Sequence, residues 1–140
     1  MKKALVLSLA LLLFSVDVIS QKVTYKGLVG TTWVSKTGLT TLTYVFTDSS
    51  HLIQSVSAPQ FKLEEKSTVK YSLDTSVTPT LIHLIGIRDE SIIENAYFFI
   101  KLFDNNTLKM QGNFDGNKPI KWNDNETAKN TSTMLRADNL

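Results

Sequence analysis

The chain has no cysteine. Disulfides, thiol nucleophiles and thiolate metal centres are therefore excluded, as is a lipid-modified cysteine. Histidine is scarce, with His51 and His83 the only two. A zinc site needs three or four His, Cys or carboxylate ligands. The two histidines fall on separate segments without a carboxylate at ligand spacing, so each is expected as an ordinary strand residue and no metal is expected. Glycine and proline number only 6 and 3. No glycine-rich phosphate loop occurs, and no serine sits in a Gly-x-Ser-x-Gly turn. Neither sign of charge dominates, since the formal net charge is +2. That balance does not point to nucleic acid or to an anionic membrane as partner.

Long hydrophobic runs are also missing, with one exception. Lys2 and Lys3 precede an apolar run from Ala4 to Val16, and Val18-Ile19-Ser20 follows before Gln21. This is the order of a secretory signal peptide, and the run is short of the roughly 20 residues that span a bilayer. Cleavage is expected after Ser20, giving a leader over 1–20, a single domain over 21–140, and a secreted or periplasmic location. No transmembrane segment is expected. Lys2, Lys3 and Asp17 leave with the leader. Taken from 15 basic and 13 acidic residues, their loss brings the net charge to +1.

What the chain does contain is a period of two. Leu42, Tyr44 and Phe46 alternate with Thr41, Thr43 and Val45, a strand signature strengthened by threonine and aromatic residues. Further strands are expected at Trp33–Ser35, at His51–Ser57, around Phe61 and Leu63, and at Val69–Leu73. The later ones are expected at Leu81–Ile87, Ile93–Phe103, Leu108–Met110, Ile120–Trp122 and Thr133–Arg136. Gln21–Gly30 reads as a lead-in, Glu64-Glu65-Lys66 as a polar turn, Arg88–Glu90 as a charged loop and Asp124–Ser132 as a polar loop. No segment after the leader has a helical period. About eight to ten short strands at roughly ten-residue spacing predict an all-β barrel or sandwich.

The aspartates Asp48, Asp74, Asp89, Asp104, Asp115 and Asp124 all fall where turns are expected, and aspartate favours turns by bonding its own backbone. No carboxylate pair stands out as set across a cleft. Asn105, Asn125 and Asn130 each begin an Asn-x-Ser/Thr motif, which matters only in a host that glycosylates exported chains. In a closed barrel the first and last strands are neighbours. Trp33 and Arg136 are then expected together at one barrel end, the guanidinium stacked on the indole.

Gly30-Thr31-Thr32-Trp33 resembles the start of lipocalin (calycin-type) barrels, with one residue more than the usual Gly-x-Trp. Other stretches fit in order: Thr43–Leu52, Tyr71–Asp74, Pro79–Leu84, Tyr97–Met110, Lys118–Trp122 and Leu135-Arg136. Together these are similar to a small secreted bacterial lipocalin-like domain family of unknown function, over about residues 28–137. The resemblance implies an antiparallel up-and-down barrel of about eight strands, and it supplies no catalytic set and no cofactor. The expected inward residues are Leu42, Tyr44, Phe46, Tyr71, Ile82, Leu84, Tyr97, Phe99 and Met110. Their bulk favours a filled or narrow interior. The leading expectation is a non-catalytic interaction or structural module that meets an extracellular protein. The alternative is a carrier or sensor of a small apolar ligand in the barrel, held by Tyr44, Phe46, Tyr71, Ile82, Leu84, Tyr97, Phe99 and Met110. A hydrolase stands last.

Overall fold

The computed structural model describes residues 21–88, 91–113, 115–124 and 130–139. The expected leader, Asp89, Glu90 and Asn125 lie outside the described residues. Eight antiparallel strands follow one another in the sequence and in space: β1 Thr32–Thr37, β2 Thr40–Phe46, β3 His51–Ala58, β4 Leu63–Asp74, β5 Thr80–Arg88, β6 Ser91–Asp104, β7 Thr107–Asn113 and β8 Thr131–Arg136. Each pairs with the next, and β8 pairs back onto β1, so the sheet closes into an up-and-down barrel. The all-β expectation holds, and closure leaves no free outer edge strand.

Several boundaries differ from expectation. Glu64, Glu65 and Lys66 belong to β4 rather than to a turn, paired with Ser57, Val56 and Ser55 of β3. The first six residues of β4 are exposed on both parities. This part of β4 pairs with β3 alone, since the β4–β5 ladder begins at Val69, and it tolerates charge on its side chains. Phe61 belongs to a 3-10 turn, Pro59–Phe61, rather than to a strand. Ile120–Trp122 is not a strand. The lead-in contains a helix, α1, Tyr25–Leu28, capped by the Thr24 side chain. Four residues are too few to show a helical period.

One end of the barrel is solid. Trp33, Phe46, Leu52, Ile82, Ile100, Leu108 and Met134 are almost wholly buried there, together with Val23 and Leu28 of the amino-terminal arm. α1 is tied to this end by side chains. The Leu73 amide donates to Tyr25 Oη at 2.8 Å, and the Tyr25 ring lies 5.8 Å from that of Tyr71. Trp33 Nε1 donates to Thr31 Oγ1 at 2.7 Å, and that hydroxyl donates to the Leu28 carbonyl. Trp33 stands opposite Arg136 in the β1–β8 register. The contact of the guanidinium is with Asp138 Oδ2, at 3.2 Å. The cation–π pairs among the described residues lie elsewhere.

Pairing fixes which face is inside. Ile82 pairs with Phe98, Leu84 with Ala96, and His83 with Tyr97. The buried core accordingly holds Ala96, Phe98, Ile100 and Leu102. Tyr97 and Phe99, expected inside, face outward. β6 is apolar on both faces, so its alternation cannot set the phase, and ring size was a misleading guide. Phe99 and its β5 partner Leu81 are nonetheless buried on the outer side.

Candidate functional site

The half of the barrel opposite α1 is open. Here β1 and β2 turn at Gly38, which has φ +60°, and β3 and β4 turn through Pro59–Phe61. A cavity of about 590 Å³ enters between these hairpins and the β7–β8 end. Its apolar lining is Leu42, Tyr44, Phe98 and Met110. Beside them, Ser35, opposite Leu42, and Ser132, opposite Met110, meet across the β1–β8 seam, with Ser132 Oγ donating to Ser35 Oγ at 3.3 Å. An adjoining cavity of about 310 Å³ shares Ser35, Leu42 and Tyr44 and adds Gln54 and Val56. Gln54 Oε1 is buried there with no hydrogen-bond partner among the described residues. Such a volume lies in the range of small-molecule pockets, roughly 300–1,000 Å³.

The expected interior residues separate into three groups. Leu42, Tyr44 and Met110 line the cavity. Phe46, Tyr71, Ile82 and Leu84 belong to the packed core. Tyr97 and Phe99 are on the outer face. Sequence reasoning missed Phe98, Gln54, Ser35 and Ser132. Phe98 was legible only as the alternative phase of β6, and the polar three carry no local motif.

The seam itself shapes the cavity. β1 and β2 pair at six positions, whereas β1 and β8 pair only at Trp33–Arg136 and Val34–Leu135. Beyond Val34 the two strands part. The cavity lining accordingly includes residues that alternate outward there, Lys36 and Thr133.

Along β6 the outer face carries a strap, residues 115–124. Gln111, only 3% exposed, holds it by a reciprocal pair of bonds. Gln111 Nε2 donates to the Asn123 carbonyl at 2.8 Å, and the Asn123 amide donates to Gln111 Oε1 at 2.7 Å. Lys101 Nζ sits 4.5 Å from the Trp122 ring centre and 3.7 Å from Asp124 Oδ1. Lys118 Nζ lies over Tyr97. The apolar pattern at Ile120–Trp122 therefore fastens a loop, while Ile120 itself is exposed.

Both histidines lie on strands, as expected, and both have partners. His83 stacks on Tyr97, with ring centres 4.1 Å apart, and its Nε2 meets Asn95 Oδ1. His51 Nδ1 lies 3.2 Å from Asp48 and 2.9 Å from Ser50 Oγ. Asp48, Ser50 and His51 meet within one tight turn. This Ser-His-Asp cluster does not form a nucleophile relay, because serine and carboxylate both meet the same ring nitrogen. A relay needs the carboxylate on one nitrogen and the hydroxyl on the other. Asp48 instead accepts from the Ser50 and His51 amides and closes the turn. The Ser50 amide and hydroxyl bonds, with lesser help from His51, hold its carboxyl down to about 2. Asp74, Asp104 and Asp115 cap their turns in the same way, each accepting the amide two residues on. Asn105 and Asn130 are exposed. No group of three potential metal ligands occurs among the described residues.

No family model matches the chain, and neither a curated protein nor a solved structure matches it.

Proposed function

We propose that the protein is a non-catalytic, exported, lipocalin-like binding protein that holds one small, mainly apolar ligand in the open half of its barrel. The supporting observation is the cavity of about 590 Å³, lined by Leu42, Tyr44, Phe98 and Met110 together with serine and threonine hydroxyls. A packed barrel would have left that volume filled. This reading places the carrier or sensor function ahead of a purely structural role. Export is supported by the leader pattern, and the lipocalin-like assignment by the up-and-down order together with Trp33 on the first strand.

Native mass spectrometry of freshly purified protein, with titration of the neutral fluorescent probe N-phenyl-1-naphthylamine, tests the reading. The expected result is a co-purified small molecule or saturable uptake of one probe per chain, lost in Leu42→Trp, which fills the cavity. A clean apo mass with no probe uptake by the folded wild-type protein would overturn it.

A second reading is favoured by the exposed apolar residues Leu39 (72%) and Phe61 (78%) on neighbouring hairpin tips. There the open end meets an extracellular protein, and pull-down with wild-type protein but not Phe61→Ser is the expected sign.

A further inference from the structure

Among the described residues that line the cavity, Lys36 alone is charged at neutral pH. The described lining of the adjoining cavity has no charged residue. Lys36 lies on β1 directly after Ser35, where pairing with β8 has ended, and it is exposed. It makes no ion pair with a described residue. The lining thus combines the apolar Leu42, Tyr44, Phe98 and Met110 with the Ser35–Ser132 hydroxyl pair and, among the described residues, one exposed cation. Lysine has the flexible four-carbon stem needed to bring its ammonium group to the cavity.

We propose that Lys36 is a headgroup site, and that the ligand is a monoanionic amphiphile. Its chain lies against Tyr44, Phe98 and Met110, and its carboxylate or similar anion rests beside the Lys36 ammonium. Resting on the cavity reading above, this names the chemical class of the guest. An apolar chain alone would gain nothing from the lysine. A dianionic or bulky polar ligand would bring charge that the hydroxyl pair cannot neutralise.

The test compares decanoate with 1-decanol, two guests with the same chain length and different head charge, as competitors of N-phenyl-1-naphthylamine. Lys36→Gln is set against Lys62→Gln, a rim lysine that does not line the cavity. Lys36→Gln is expected to weaken decanoate by about three- to fivefold, the size of a solvent-exposed ion pair. It should leave 1-decanol unchanged, and Lys62→Gln should change neither. Lys36→Glu should weaken decanoate further. Equal effects on decanoate and 1-decanol, or no effect on either, would overturn the headgroup assignment while leaving the cavity reading intact. If neither guest nor probe binds the wild-type protein, the cavity reading fails and takes this inference with it. Circular dichroism of the exposed-site variants confirms that each is folded.

Discussion

The buried indole nitrogen of Trp33 has one partner, Thr31 Oγ1, and the same hydroxyl reaches on to the helix carbonyl of Leu28. Thr31 is itself 6% exposed. Thr31→Val keeps the shape of the side chain and strands the indole N–H in an apolar environment. A buried donor left unpaired costs about 1–3 kcal/mol. Urea unfolding should show that loss, and Trp33→Phe in the Thr31→Val background should show little further effect from the missing N–H. An unchanged midpoint in Thr31→Val would mean that the hydroxyl does not hold the helix. Single residues were also where the sequence was least legible. On β2, threonines mark the outer face, so Leu42, Tyr44 and Phe46 could be read as inward-facing. On β6 both faces are apolar, and nothing local separates Phe98, which lines the cavity, from Phe99, which does not.

The β2–β3 turn and the strand behind it act as one unit. Asp48 closes the turn with its carboxylate, and the Asp48 carbonyl accepts Tyr71 Oη at 2.7 Å. Burial, followed by the nearby Tyr25 and Asp48, pushes the Tyr71 phenol from 10.0 up to about 12. A raised tyrosine favours the protonated form in the folded state. Its contribution is therefore present below pH 10 and is lost as pH rises from 10 to about 12. Asp48 works in the opposite sense. Its carboxyl is depressed from 3.8 to about 2, so its contribution holds above pH 4 and fades as pH falls toward 2. Tyr71→Phe should flatten the alkaline fall in unfolding midpoint without altering the acid limb, and Asp48→Asn should flatten the acid fall while trimming the alkaline one only slightly, Asp48 being the smallest cause of the Tyr71 shift. Variants that follow the wild-type curve at both extremes would contradict the assignment. Turn elements of this sort were legible because aspartate has a local reason to be in them. The strap at 115–124 was not, since its apolar residues answer to Gln111 and Lys101 on other strands. α1 was hidden by its length. The exposed start of β4 was hidden because a strand segment paired on one side only, with both faces in solvent, needs no alternation.

For the molecule as a whole, eight strands in sequence order were readable from period and turn chemistry, while the way the barrel closes was not. Closure depends on a seam of two paired positions, against nine between β5 and β6. Seam-facing amides beyond the two paired positions have no ladder partner across it, and such amides are less protected than those inside continuous ladders. Hydrogen exchange should therefore run faster at the seam-facing amides of residues 35–37 and 131–133 than along β5 and β6. A bound amphiphile should slow the seam and leave β5 and β6 unchanged. Uniform protection around the barrel would contradict a weak seam. The same feature sets a clock on biosynthesis. β1 is the first of the eight strands to be made and β8 the last, so the cavity is complete only once β8 has been made and has joined β1. A guest of the kind proposed above could be held only from that moment on.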